Sequence, residues 1–225
     1  IIASVWGAAT AWAQEPSDDN PAPPENVTLN TTDGVTLAAT FYPSKRGKEA
    51  AAVILLHDDG GKRTEFDRLA RRLQLAGAAV IVPDLRGHGE SDNGLKQLRH
   101  EDYEAMVAKD LEAVKGFLLR RNNEGQLNIE RLGIVGIHLG AALALNWAAN
   151  DWSWPELPVG KQGQDVKALA LISPEWSYKG LRIGEAVAEP DIQNELSIFI
   201  VVGRRNNKFH GEARRLYNNF AKHHN

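Results

Sequence analysis

Short apolar runs, one of them interrupted by Lys167, recur along this chain, and the stretches between them carry apolar residues at helical spacing. The runs are residues 50–56 (AAAVILL), 78–82 (AAVIV), 132–135 (LGIV), 166–172 (VKALALI) and 198–202 (IFIVV). A strand that is apolar on both sides belongs inside a sheet covered on both faces. Between the runs, residues 65–75 place Phe66, Leu69, Ala70 and Leu73 on one helical face and stop at Gly77. Residues 103–119 do the same with Met106, Val107, Leu111, Val114 and Leu118, and residues 139–149 form an apolar helix. A last helix, residues 211–221, carries Ala213, Leu216, Tyr217 and Phe220. Ahead of this series, residues 27–30 and 35–41 alternate around Asp33-Gly34, the turn pair of a β-hairpin. A hairpin followed by alternating strands and helices predicts an α/β fold. Its sheet is doubly wound and mostly parallel, with an antiparallel N-terminal start.

A chain of 225 residues suits one such domain. It has no cysteine, which excludes a disulfide framework, a zinc finger and a thiol nucleophile. A net charge of −3 exerts no general pull on nucleic acid or anionic membrane. No apolar run reaches the roughly 18 residues of a spanning helix, so no integral membrane protein is expected. Residues 1–13 (IIASVWGAATAWA) are apolar and end in Ala11-Trp12-Ala13, an A-x-A cleavage pattern before Gln14. With no charged segment ahead of it, this stretch reads as the remainder of a secretory leader. The expectation is an exported protein, periplasmic or extracellular. Residues 14–26, with four prolines, read as a disordered linker, and the folded domain is expected over residues 27–225. None of these features sets an oligomeric state.

Ligands of open parallel sheets sit at the carboxyl ends of the strands, so the residues just after each run are the candidates. Gly136-Ile137-His138-Leu139-Gly140 follows one strand and opens an apolar helix. This is a G-x-S-x-G elbow with His in place of Ser. His57-Asp58-Asp59-Gly60-Gly61 and Asp84-Leu85-Arg86-Gly87-His88-Gly89-Glu90-Ser91 follow two others. With these motifs the chain resembles the α/β-hydrolase superfamily, in its compact esterase, lysophospholipase and dienelactone-hydrolase-like forms, with little or no cap. The resemblance implies cleavage of ester, thioester, amide or lactone bonds by Ser, an acid and His in that chain order.

This chain departs from that pattern at each catalytic position. His138 stands at the nucleophile position, and Asn206 stands where the resemblance places the acid. The base would follow one further strand, and the last strand of the family's sheet is missing from the sequence. The backbone N–H groups of Asp59 and Leu139 would be the oxyanion donors, with the carboxylates of Asp58 and Asp59 beside them. Negative charge there opposes a developing oxyanion. Glu175, after the strand over residues 166–172, is an alternative acid partner for His138. His57, Asp58, Asp59 and His138 are a candidate zinc ligand set; otherwise no metal or cofactor is expected. His88 reads as a structural brace, and Lys161, Arg204, Arg205 and Lys208 as solvated surface charge. The resulting expectation is an inactive serine-hydrolase relative whose cleft holds a small ligand or a partner. The alternative is an acyl hydrolase working through His138 and Glu175, or through a His supplied by further C-terminal residues.

Overall fold

The computed structural model describes residues 20–91, 97–155, 158, 161–203 and 207–223. The expected leader, residues 1–13, the start of the linker and Asn206 lie outside them. Among the described residues, seven strands form one sheet in the order β1-β2-β4-β3-β5-β6-β9. Strands β1 (Glu25–Asn30) and β2 (Thr36–Tyr42) are the N-terminal hairpin. Its turn is closed by Thr31, whose Oγ1 accepts the Val35 N–H at 2.9 Å, and by Gly34 at φ 83°. The folded part begins earlier than residue 27. Glu25 pairs with Arg121 at 2.5 Å, and the Ala22 carbonyl accepts bonds from Arg71 and Gln74. These contacts tie down the end of the proline-rich stretch, which composition alone makes look unattached.

Strand β2 runs antiparallel to β4 (Ala79–Pro83). Strands β4, β3 (Ala51–Leu56), β5 (Asn128–Ile137), β6 (Val166–Ile172) and β9 (Ser197–Val201) are all parallel. Four of the apolar runs, β3, β4, β5 and β6, are therefore inner strands, as their hydrophobicity requires, whereas the fifth, β9, lies at the edge with alternate residues exposed. Strand β5 starts four residues before its apolar run because Asn128 pairs with Ala51 ahead of a register shift.

Helix α1 (Asp67–Leu75) lies on one face of the sheet, where Phe66 and Ala70 pack on Tyr42, Leu55, Val80 and Val82. The other face is covered by α3 (Leu111–Asn123) and α4 (Leu139–Ser153), which enclose the larger core with Leu111, Leu118, Leu143 and Trp147. The helix expected over residues 103–119 is a longer rod: α2 (His100–Ala105), a π-turn (Met106–Asp110) and α3. The π-turn presents Asp110 to the Arg86 guanidinium at 2.5 Å in the interior.

Between β6 and β9 the chain makes a small hairpin, β7 (Ser177–Tyr178) and β8 (Leu181–Arg182), then α5 (Gly184–Ala188) and α6 (Pro190–Glu195). Helix α7 (Asn207–Phe220) closes the described chain, packed through Ala213, Leu216 and Phe220. Among the described residues no helix is long and apolar enough to cross a membrane.

Candidate active site

Strands β3 and β5 are neighbours, with Leu56 registered against Gly136. Asp58 and His138 lie two residues beyond that pair, so the two side chains emerge side by side at the carboxyl edge of the sheet. His138 sits at φ 44° and ψ −103°, a backbone conformation that costs a non-glycine residue on the order of 1–3 kcal/mol. The turn into α4 enforces it. A Cβ on Gly136 would strike the Gly140 carbonyl, and one on Gly140 would strike the Leu56 carbonyl, so both flanking positions are confined to glycine. Ala141, Ala142 and Ala144 are buried behind them and let α4 approach the sheet closely.

The Asp58 carboxylate binds this elbow. Its Oδ2 lies 2.7 Å from Nδ1 of His138. Its Oδ1 accepts the Leu139 N–H at 3.3 Å and the Asp59 N–H at 2.8 Å. Those are the two N–H groups expected as oxyanion donors. They do converge on a single oxygen, and the oxygen belongs to the chain itself. One face of the His138 ring is stacked on Phe209 of α7, with centroids 4.5 Å apart and planes 26° from parallel.

Asp59 turns the other way. Its Oδ1 faces Nε2 of His88 at 3.0 Å, while Oδ2 accepts Lys179 Nζ at 2.5 Å and Tyr178 OH at 3.2 Å. Burial works to raise the Asp59 carboxyl, but the bonds from Lys179 and His88 outweigh it and hold the group below its ordinary value. Lys179 and Gly180 form the tip of the β7–β8 hairpin, at φ 45° and 93°. One carboxylate thus joins that hairpin to the loops after β3 and β4. His88 is a brace within this junction, since its Nδ1 also faces the Arg86 carbonyl at 2.9 Å.

The candidate zinc set does not come together. His57 is fully buried; its Nε2 accepts the Leu85 N–H at 3.0 Å and its Nδ1–H donates to the Asp58 carbonyl at 2.6 Å. Burial holds its pKa down, which suits this neutral, fully bonded ring. Neither nitrogen is left for a metal, and Asp59 points to Lys179. No group of three or more His, Asp or Glu residues among the described ones is placed to hold a metal ion.

Glu175 does not partner His138. Its Oε2 pairs with Lys208 at 2.7 Å, so the carboxylate that His138 meets is Asp58. Lys208 and Lys161 are accordingly ion-paired, Lys161 with Asp165 at 3.3 Å, rather than simply solvated. Sequence reasoning overlooked Tyr178, Lys179 and Phe209. Gly180, a turn-forming residue after Lys179, was the available signal for the hairpin. Nothing local announced that Phe209 would lie against His138.

A family model described as alpha/beta hydrolase fold matches residues 51–224. An uncharacterized protein of Mycobacterium tuberculosis is 27% identical over 123 residues, covering 55% of this chain and 40% of its own length. A 2-hydroxy-6-oxononadienedioate/2-hydroxy-6-oxononatrienedioate hydrolase of Escherichia coli is 26% identical over 167 residues, covering 72% of this chain and 52% of its own. The chain thus spans about half the length of the curated relatives it matches. An esterase structure from Pyrococcus furiosus superimposes with a TM-score of 0.62 at 18% identity, over 99% of this chain and 84% of that one. At that identity the likeness speaks for the fold.

Proposed function

Because this chain belongs to the alpha/beta hydrolase fold family, matched over residues 51–224, we propose that it is an exported member that keeps the family's cleft for binding and does not turn over esters. The observation that carries this reading is the position of Asp58. Acyl transfer needs preorganised donors aimed at an oxygen that becomes negative in the transition state. Here the donors of Leu139 and Asp59 are already spent on a carboxylate oxygen. A substrate carbonyl would have to displace that anion or develop charge against it. The elbow also offers an imidazole where the reaction needs a hydroxyl activated by a base.

The test uses p-nitrophenyl butyrate with the parent protein and His138→Ser, each also treated with a fluorophosphonate probe. We expect no turnover above a control protein and no labelling of the introduced serine. Labelling would reveal a working base and overturn the proposal. A second reading has one observation in its favour: the 2.7 Å contact gives His138 an orienting carboxylate, as a general base acting on water requires. Turnover by the parent that disappears in His138→Ala would establish that reading instead.

Export rests on the apolar residues 1–13 and their Ala11-Trp12-Ala13 ending. Protein exported from a host carrying the full gene should begin at Gln14. N-terminal sequencing that found the apolar stretch intact on the exported protein would refute this.

A further inference from the structure

An oxyanion cradle serves one oxygen; the donors around Asp58 serve two. Oδ1 receives N–H groups from two separate loops, at 2.8 and 3.3 Å, and Oδ2 meets the imidazole of His138 at 2.7 Å. The second partner exists only because the elbow carries histidine. A serine side chain has no ring nitrogen to place there. The substitution has thus given both oxygens of a carboxylate their own partner. Leu139 is also the first residue of a 15-residue helix, whose N-terminal end favours an anion.

We propose that this three-donor clamp is a binding site for carboxylates, and that Asp58 is its resident occupant. Carboxylate ligands from solution compete with Asp58 for it. Asp58 is tethered to the clamp it fills, and a tethered group acts at an effective concentration on the order of millimolar or above. In the parent protein a free monocarboxylate must overcome that advantage. With Asp58 shortened, the same three donors face solvent and take the carboxylate of a small acid. The inference rests on the non-hydrolytic reading, because it treats the donors as a ground-state binding site.

The experiment compares the parent with Asp58→Ala, and with Asp58→Gly should the alanine variant fold poorly. Each is titrated with sodium acetate against sodium chloride at equal ionic strength, following the His138 ring resonances by NMR and the melting temperature. We expect half-saturation of the Asp58→Ala protein at an acetate concentration at least about tenfold below that of the parent. Adding His138→Ala should weaken binding again by a similar factor. A folded Asp58→Ala or Asp58→Gly protein that responds alike to acetate and chloride overturns the proposal, as does equal half-saturation in variant and parent. Hydrolysis of p-nitrophenyl butyrate is measured on the same samples. Turnover by the parent would defeat the non-hydrolytic reading, whereas absent acetate binding without turnover would defeat only the clamp.

Discussion

Tyr42 is buried at the end of β2 and donates its hydroxyl to Asp67 Oδ1 at 2.9 Å. Burial first, and the Asp67 carboxylate second, push its phenol up to about 12. The folded protein therefore holds this proton more tightly than the unfolded chain, whose tyrosines titrate near about 10. The resulting stabilisation is fully present below about pH 10 and is lost as the pH rises through about 12. Tyr178, raised to about 12 by burial and by Asp59, adds to the same alkaline window. We expect Tyr42→Phe to cost about 1 kcal/mol near neutrality, the usual worth of one hydrogen bond. It should then lose less stability than the parent across the alkaline window. Urea unfolding at a series of pH values checks this, and an equally steep alkaline loss in the variant would contradict it. The residues of the elbow were readable in the sequence because sharp turns are local: Gly136, His138 and Gly140 constrain one another within five positions. The Asp58–His138 contact was not, because it depends on the register between two strands some eighty positions apart, and a one-residue slip would separate the side chains.

Among the elements, those with a strong periodic pattern were the readable ones. The runs of β3, β4 and β6 and the apolar helix α4 stand out because burial on all sides concentrates hydrophobicity in them, and α1 because burial of one face spaces its apolar residues regularly. The elements that escaped are short or polar. Strand β5 begins with the half-buried Asn128 and the exposed Glu130 and Arg131, polar side chains that hide the pairing of the backbone beneath them. The β7–β8 hairpin has two residues per strand, too few for an alternation to register. It is held instead by Lys179 and Tyr178 on Asp59. The π-turn at Met106–Asp110 inserts a shift into an otherwise helical pattern, and its cause is tertiary. Asp110 must face inward to meet Arg86, which also binds Asp33 at 3.0 Å. The Arg86 guanidinium holds Asp33 well below the usual carboxylate range, so this network ties the N-terminal hairpin turn to the helix covering the larger core.

Across the whole molecule the cover on the sheet is uneven. One face carries α3, α4 and their neighbours, whereas the other carries α1, whose packing reaches Val53, Val135 and Ile137 but not β9. At that end Phe199 is 67% exposed, Val201 38% and Tyr217 60%, and among the described residues β9 is the outermost strand, with β6 as its one partner. Local opening begins where few apolar contacts must be broken. The molecule should therefore exchange its amide hydrogens as a gradient running across the strand order. Peptides from β9 should take up deuterium first, β6 next, and β3 and β5 last, near the rate of global unfolding. Exchange followed by mass spectrometry tests the order, and β9 peptides as slow as those of β3 would show that the two ends open together. If the gradient holds, the elbow lies close to the line between the two regimes. His138 hangs from the slowly exchanging β5, while Phe209, stacked on its ring, belongs to the helix behind the fastest strand. Each transient excursion of that end would lift one wall from the imidazole and leave Asp58 and its donors in place, so the site would breathe from one side only.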